Sequence, residues 1–585
     1  MGTEIVNRLS ELNVPSAEFP RRFVPATLDF SNWNTIEPLY KELVDRKIDS
    51  VKAVEQWLLD TSELSAAMAE EGSRRYINMT CATDNEKFEK AFLYFVENIE
   101  PKIKPYGHAI NEKLLASPYL DELDKKRHEV LIRDTRNDVE LFREENIPLE
   151  VEISKLSQQY QKIIGAMTVE FRGKEYTLPQ MSLFLQDKDR AMREESWKLT
   201  TERRLQDAGK LDELFEKMLE LRNQVAKNAG FEDFRSYQFR RYGRFDYSPD
   251  DCLQFHDAVE KHVVPLTRQM MDERRQSLQI KTVRPWDTGC DRIGREPLKP
   301  FESTDKLADS CHKIFNKVDA ELGNNFQKMI DFGLLDLASR KGKAPGGYQS
   351  SLSEVRLPFI FMNAVGVNRD VFTLLHEGGH AFHQFAVRNE PLLPYRNAPM
   401  EFAEVASMSM ELLGAPYLEV FYNTGEASRA RYDSLESAIL LLPWIAIIDA
   451  FQHWIYTHAG HTAAERSDQF AALMHRFSSG VDWSGYEEAL RLRWQAQLHI
   501  FEYPFYYIEY GIAQLGALQV WQNSRRDKME AIRAYKSALA LGGSKPLPQL
   551  FEVAGARFDF SDRIIQPLMS EVAGEMEVQR LQENQ

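Results

Sequence analysis

The sequence has few cysteines, a deficit of positive charge and no long uninterrupted apolar run. Only four cysteines occur in 585 residues, and none forms a Cys-x-x-Cys pair. This scarcity speaks against a disulfide framework and against a cysteine-based metal site, and it favours a reducing compartment. The 73 Lys and Arg against 89 Asp and Glu leave a net charge of −16. Phosphate binding needs a basic surface, so a nucleic-acid partner is disfavoured.

Segments that would direct the chain to a membrane are also scarce. The longest uncharged apolar stretch, 438–448, contains Pro443 and is too short for a membrane span of about 20 residues. The first residues contain no apolar region of the kind found in signal peptides. We therefore expect a cytoplasmic protein without a membrane partner, in which 438–448 forms a buried helix.

The chain is dominated by helical periodicity. Apolar residues recur every three or four positions over 35–64, 86–104, 139–164, 190–230 and 249–278, and the chain again has helical character from 369 almost to the end. This spacing predicts amphipathic helices. With 43% hydrophobic residues the chain can also bury a large core. The predicted fold class is mainly α.

Residues 168–178 break the helical pattern. They alternate in polarity on both sides of Arg172-Gly173, which predicts a β-hairpin. The hairpin marks a seam between an N-terminal helical domain at 1–180 and a larger domain at 181–585.

Residues 354–362 break it a second time, because they are rich in β-branched and aromatic side chains. They predict a short strand, and Pro358 favours a place at the edge of a sheet. Such a strand could bind an extended peptide through backbone hydrogen bonds, with the flexible turn at Gly346 and Gly347 folding over the peptide.

One pattern within 372–383 carries the chemistry. Helix positions four apart lie on the same face, so His376 and His380 can direct ring nitrogens at one metal ion. Glu377 then lies beside the metal without binding it, where it can act as general base towards an activated water. This HExxH arrangement predicts a hydrolase.

Two glycines lie inside the same predicted helix. Gly378 and Gly379 each cost about 1 kcal/mol relative to alanine. Such a cost predicts a close approach of backbone or substrate at this face, or simply the packing of a neighbouring helix.

A zinc ion that activates water needs a third protein ligand. The helical pattern at 399–413 carries three carboxylates near one face, at Glu401, Glu404 and Glu411. We predict Glu404 as the third ligand of one Zn²⁺ per chain. Glu401 and Glu411 either are surface charges or orient a ligating histidine.

A further candidate region follows at 499–510. His499 precedes Tyr503, Tyr507 and Tyr510, whose spacing would place all three tyrosines on one side of a helix. Tyrosine hydroxyls or an imidazole can donate hydrogen bonds to the oxyanion of peptide hydrolysis. The alternative is an aromatic core stripe. The remaining histidines, His256 and His453 among them, have no ligand-like spacing.

Taken together, these patterns resemble the thimet oligopeptidase family of zinc metallopeptidases, and within it the oligoendopeptidase F branch. The likeness is carried by 376–383, 402–404 and 499–510, with support from 230–234, 342–348 and 358–361. It covers roughly residues 165–560 and leaves the first 110 residues unmatched.

The resemblance implies a helical, two-lobed metallopeptidase with a deep central channel and a small β-sheet beside the HExxH helix. It implies short unstructured peptides as substrates. The resemblance implies the zinc ligands His376, His380 and Glu404 and the general base Glu377, with His499, Tyr503, Tyr507 and Tyr510 lining the substrate and stabilising the oxyanion. We predict His499, Tyr507 and Tyr510 as the catalytic oxyanion donors, and Tyr503, Tyr506, Gly346 and Gly347 as the substrate contacts. The spacing leaves open whether Tyr506 or Tyr507 faces the oxyanion.

The expected function is zinc-dependent hydrolysis of internal bonds in short peptides, by a monomer or homodimer whose catalytic domain is 181–585. Two alternatives remain open. A zinc carboxypeptidase would instead release single C-terminal residues. An inactive helical peptide-binding protein would keep the metal only for structure.

Overall fold

The structure is a computed structural model that describes residues 18–583 except 341 and 345, with only the backbone of residue 158. Helices predominate, as the periodicity predicts, and the described strands form two small sheets. The mainly α fold class is therefore confirmed.

The described chain divides into two compact units. The first unit combines the described residues up to Glu140 with Lys299–Ala427 and Gly516–Phe558. The second unit combines Leu141–Leu298, Ser428–Leu515 and the described residues from Asp559 onward. The boundary predicted between 1–180 and 181–585 stays a prediction, since compact packing does not by itself define a sequence domain.

The helices and the strands are each given in chain order. The helices before residue 300 are α1 (Trp33–Asp45), α2 (Val51–Cys81), α3 (Glu86–Asn98), α4 (Glu100–Leu115), α5 (Lys125–Leu141), α6 (Asn146–Gly165), α7 (Leu178–Met181), α8 (Arg190–Leu205), α9 (Ala208–Asn228), α10 (Phe234–Arg241), α11 (Pro249–His262) and α12 (Val264–Ser277). The later helices are α13 (Thr304–Val318), α14 (Ala320–Asp331), α15 (Asn368–Ala386), α16 (Met400–Gly414), α17 (Thr424–Thr457), α18 (Ala463–Arg476), α19 (Glu487–Arg491), α20 (Leu498–Glu502), α21 (Ile508–Arg526), α22 (Lys528–Leu539), α23 (Leu547–Val553) and α24 (Asp562–Gln582). The strands are β1 (Thr168–Phe171), β2 (Lys174–Thr177), β3 (Leu335–Ala338), β4 (Tyr348–Leu352) and β5 (Leu357–Ala364).

Short-range signals set several helix starts. The Ser50 side chain accepts a hydrogen bond from the Ala53 amide at the start of α2. Ser248 and Asp251 form a reciprocal capping box at the start of α11. Each cap satisfies an amide that the first turn leaves without a partner, and it contributes about 1 kcal/mol.

The predicted hairpin is confirmed in the second unit. β1 and β2 pair antiparallel, with Thr168 opposite Thr177. Arg172 and Gly173 have φ angles of 51° and 76°. Positive φ at both central residues is what a two-residue hairpin turn of type I′ requires.

The second sheet lies in the first unit, and β5 is its central strand. β5 pairs parallel to β3 and antiparallel to β4. The expected edge position of this strand is therefore wrong. Pro358 lies opposite Ser351 of β4, whereas the pairing of β5 with β3 begins at Ile360. The amide that Pro358 lacks thus interrupts no described bond to β3, which explains why a central strand tolerates it.

This sheet supports the helix that carries the HExxH pattern. α15 packs against β5 on one side and against α16 on another. All but one residue of β5 are buried, which accounts for its nearly continuous apolar sequence. The expected small sheet beside the HExxH helix is confirmed.

α17 contains the predicted buried stretch 438–448. By length and composition this helix could cross a membrane, and two thirds of its most apolar window are buried inside the protein. Ile439, Leu442 and Ile445 are fully buried. A helix in the core of a protein can be as apolar as a membrane span. Because these residues are buried, the buried helix predicted from the sequence is confirmed.

Candidate functional site

Three predicted metal ligands converge in the first unit. α15 carries His376 and His380 one turn apart, and the neighbouring α16 carries Glu404. Glu404 Oε2 lies 3.4 Å from His376 Nε2 and 3.8 Å from His380 Nε2. The three ligating atoms all lie within 4.8 Å of one another. Two ring nitrogens and one carboxylate oxygen at this spacing fit a single zinc ion that keeps a position open for water.

The protonation states of His380 and Glu404 suit a metal. Burial lowers the pKa of His380 to about 4, which leaves its imidazole neutral. Burial opposes ionisation of Glu404, but His380 and His376 hold the pKa of its carboxyl at about 2. A neutral imidazole and an ionised carboxylate are the forms that bind a cation.

Glu411 orients His376, the first predicted ligand. Its Oε1 lies 2.7 Å from Nδ1 of His376, so that ring nitrogen donates to the carboxylate and Nε2 is left for a metal. Of the two roles that the sequence left open for Glu411, the geometry supports the orienting one. Glu401 is buried on α16, so it is not a surface charge.

The two glycines allow α15 to pack closely. A β-carbon at Gly379 would lie 2.5 Å from Ser407 Cα and 2.6 Å from the carbonyl oxygen of Ala406. A β-carbon at Gly378 would lie 2.5 Å from the ring of Phe315. The contacts of neighbouring helices therefore account for both glycines.

Glu377 has the surroundings of a general base. The residue is 7% exposed, and its Oε2 has no hydrogen-bond partner among the described residues. Burial raises the pKa of this carboxyl to about 7, while a hydrogen bond from the backbone of Gln349 in β4 acts in the opposite direction. A buried carboxylate oxygen without a partner, next to the ligand group, can accept a proton from a bound molecule.

The predicted substrate turn adjoins β4. Gly346 has a φ of 93°, and Asn363 Nδ2 donates to its carbonyl oxygen at 2.9 Å. Gly347, the next residue, is exposed. β4 lies at one edge of the sheet and β5 at its centre. The expectation that β5 pairs with a peptide is therefore wrong, because both of its sides are occupied, and β4 takes over that role as a candidate.

In the second unit, the segment that carries His499 is not the continuous helix that its spacing predicts. α20 ends at Glu502 and α21 begins at Ile508, and between them Phe505 has a φ of 66°. The break nevertheless gathers the four tyrosine rings around the imidazole. Their centroids lie 4.9 to 6.2 Å from that of His499, for Tyr507, Tyr506, Tyr510 and Tyr503 in order of increasing distance.

Two buried side chains hold the left-handed backbone of Phe505. Its amide donates to Gln452 Oε1 at 2.6 Å. Its carbonyl accepts a bond from Arg244 Nη2 at 2.5 Å, and the same nitrogen contacts Glu509 Oε1 at 2.7 Å. Gln452 and Arg244 precede Phe505 by 53 and 261 positions. Sequence reasoning could not find these residues, because no local pattern connects such distant positions.

His499 is arranged as a neutral hydrogen-bond donor. Burial lowers the pKa of its imidazole to about 4. Gln497 Nε2 lies 2.8 Å from His499 Nδ1. Because an amide nitrogen can only donate, Nδ1 accepts and the ring proton is assigned to Nε2. An N–H of this kind can stabilise a developing negative charge.

The tyrosines differ in exposure. Tyr507 is buried, and its hydroxyl interacts with Trp444 and Gln497. Tyr506 and Tyr510 are partly exposed, and Tyr503 is 50% exposed. The buried position of Tyr507 favours a supporting role for it, whereas Tyr503, Tyr506 and Tyr510 are the more accessible side chains.

Comparison with known proteins places these features in a family. The model for peptidase family M3 matches residues 183–570, and the model for the peptidase M3 N-terminal domain matches residues 23–142. The second match covers most of the stretch that the sequence resemblance left out.

Relatives agree over almost the whole length. An oligoendopeptidase F homolog of Borreliella burgdorferi is 23% identical over 94% of this chain and 91% of its own. A crystal structure solved as a candidate oligoendopeptidase F has a TM-score of 0.88 and 27% identity, with 95% of this chain and 99% of that chain covered. PZ peptidase A, solved with an inhibitor, gives the same four values. The chain therefore belongs to peptidase family M3 and is a peptidase.

Proposed function

We propose that this protein is a zinc-dependent oligoendopeptidase that hydrolyses internal bonds of short unstructured peptides, with Glu377 as general base. Peptide substrates follow from the family. The names of the relatives support endopeptidase action on oligopeptides. The observation that carries the proposal is the buried Oε2 of Glu377, which has no hydrogen-bond partner among residues 18–583 as described and lies beside the group formed by His376, His380 and Glu404.

These donors would hold the zinc ion that the family implies. His376 Nε2, His380 Nε2 and Glu404 Oε2 form a set of nitrogen and oxygen ligands that zinc accepts, and Glu411 fixes one ring. When bound there, zinc lowers the pKa of a water molecule towards 7 and polarises a carbonyl group. Glu377 is not a ligand, so its carboxylate is available to take a proton and to pass it to the leaving amine.

The chain's own groups would position the peptide. β4 offers an edge strand whose Gln349 already contacts Glu377. A peptide that pairs with this edge would be recognised mainly through its backbone, which favours a broad range of sequences. His499 and Tyr510, with Tyr506 or Tyr507, would donate hydrogen bonds to the oxyanion. The implied channel stays a prediction.

The experiment is mass spectrometry of a mixed set of short peptides incubated with the zinc-loaded protein and with Glu377→Gln. We expect internal cuts by the first and a loss of about 10²- to 10⁴-fold in rate for the second. The zinc content and the thermal midpoint should match in both proteins, because Glu377 binds no metal.

Other outcomes decide against the proposal. Release of single C-terminal residues would establish a carboxypeptidase instead. Full activity of Glu377→Gln would exclude Glu377 as the base. A zinc-loaded protein that binds peptides and cuts none would be a binding protein. We also propose a cytoplasmic location, which the four free, buried cysteines support.

A further inference from the structure

A second group of metal-ligand side chains lies in the second unit, far in sequence from the HExxH pattern. α11 carries Cys252 and His256, and α17 carries Asp449 and His453. Each pair is separated by four positions, so its two side chains lie on one face of their helix. All four residues are buried, with exposed fractions from 0 to 4%. Two helix faces thus bring four buried polar side chains together.

The donor atoms of three of these residues converge. One atom each of Cys252, Asp449 and His453 lies within 4.8 Å of the other two. A thiol sulfur, a carboxylate oxygen and an imidazole nitrogen at this spacing form a donor set that a zinc-like cation accepts.

Three of the four residues carry a buried ring nitrogen or carboxylate oxygen without a hydrogen-bond partner among the described residues: His256 at Nδ1, and Asp449 and His453 within the converging set. Asp449 Oδ1 and His453 Nε2 make no hydrogen bond within the described part of the chain. His453 Nε2 lies 3.2 Å from Asp449 Oδ2, but not in hydrogen-bonding geometry. Leaving a buried polar atom unpaired costs about 1–3 kcal/mol, so two of them in one group point to a bound species.

His256 orients the Asp449 carboxylate without belonging to the three residues whose donor atoms converge. Its Nε2 lies 2.8 Å from Asp449 Oδ2, which leaves Oδ1 as the unpartnered oxygen. An imidazole that fixes one carboxylate oxygen while the other is available is a common arrangement around protein-bound metals.

We propose that Cys252, Asp449 and His453 bind one divalent cation of the zinc class, which cross-links α11 and α17. Binding releases the thiol proton of Cys252 to solvent, and the thiolate and the Asp449 carboxylate together balance the two charges of the ion. Substrate does not reach side chains this deeply buried, so the ion is structural, and a buried water molecule fills the fourth position that the three side chains leave. It enters as the second unit folds, when the two helices meet.

The competing arrangement has no metal. Arg235 Nη1 lies 3.5 Å from His453 Nδ1. Arg235, His453, Asp449 and His256 could then form a buried chain of polar contacts with a protonated Cys252. The two arrangements differ in metal content and in the state of the Cys252 sulfur, and both can be measured.

The test uses the full chain expressed in cobalt-supplemented medium, with metal content and electronic absorption as readouts. Cobalt bound by a thiolate gives a sulfur-to-metal charge-transfer band, whereas the HExxH group contains no sulfur. We expect two cobalt ions per chain and a thiolate band in the wild-type protein. Cys252→Ser should lose the band and one ion.

Two further variants assign the ions. Cys311→Ser changes an equally buried cysteine outside the group and should keep both ions and the band. His376→Ala with His380→Ala should lose one ion and keep the band, which separates this proposal from the proposed activity. One ion per folded wild-type chain without a thiolate band would overturn the second site. That result needs no variant, so a misfolded Cys252→Ser protein would not obscure it.

Discussion

The ligand group on α15 and α16 and the segment that carries His499 hold their side chains in place by different means. In the first, helix geometry spaces His376 and His380, and two glycines let two neighbouring helices approach. In the second, a break between two helices gathers the rings, and it includes a left-handed Phe505 held by Gln452 and Arg244.

This difference shows two ways in which a protein sets the positions of side chains. A helix repeats its geometry at every turn, so a pattern of five residues is enough to set two ligands. A left-handed phenylalanine costs about 1–3 kcal/mol and persists only where its surroundings determine it. We therefore expect the ligand group to respond most to nearby changes, and the His499 segment to respond to substitutions remote in sequence.

Among the variants that test this difference, those that remove a hydroxyl from the His499 segment should have the largest effect. Tyr510→Phe should lower kcat by about 10²- to 10³-fold, as is usual for the loss of one oxyanion donor. Tyr506→Phe should resemble it, and Tyr507→Phe should cost less activity because that hydroxyl is buried against Trp444. Steady-state kinetics on one peptide ranks the three. An equally small decrease in kcat for all three variants would contradict the oxyanion role and support the alternative of an aromatic core stripe.

In the ligand group, Glu411→Gln should weaken zinc binding by about 10- to 100-fold, because the His376 ring loses its charged partner. Competition with a chelator measures the change. Glu112→Gln is the matched control, since Glu112 lies beside His108 on α4, outside the ligand group. Equal affinities for both variants would show that Glu411 does not orient the ligand.

Helix packing in the ligand group can be tested at Gly379. Gly379→Ala places a β-carbon 2.5 Å from Ser407 Cα, so we expect a loss of about 1–3 kcal/mol in the free energy of unfolding, together with weaker zinc binding. Gly574→Ala in α24 meets no atom within 4 Å. It should leave stability unchanged or raise it by up to about 1 kcal/mol. Denaturant titration compares the two, and a neutral Gly379→Ala would contradict the packing.

The smallest change should separate stability from activity. Gln452→Met removes the acceptor of the Phe505 amide, which should cost about 1 kcal/mol or more in unfolding free energy and also lower kcat. Gln519→Met removes a similar acceptor, that of the Arg557 amide in the first unit. Its stability should fall by a comparable amount while kcat stays unchanged. A drop in kcat for both variants would assign the effect to general destabilisation.

The sequence patterns predicted the residues of the ligand group but not the distant side chains that hold the His499 segment in place. The spacing of His376, Glu377 and His380 predicted one helix face, and the carboxylate pattern singled out Glu404, which the structure places beside both histidines. The same reasoning predicted a helix through 503–507, where the chain instead breaks. A helical period could not reveal the break, because bonds to distant side chains hold it.

The four-residue spacing of the HExxH pattern also occurs in α11 and α17, where the sequence analysis predicted no metal ligands. Cys252 with His256, and Asp449 with His453, are each an ordinary pair on a helix. Only their apposition in one core brings a sulfur, an oxygen and a nitrogen together.

By itself, then, the sequence determined the helical class, the hairpin, a strand at 354–362 that the structure places at Leu357–Ala364, and the three candidate ligands, because each depends on a period or a turn within one short stretch. The tertiary structure alone decided that β5 is central, that Glu411 orients His376, and that Phe505 adopts a left-handed backbone. These features depend on which distant segments come into contact. The free energy of such contacts cannot be inferred from a pattern within one short stretch of sequence.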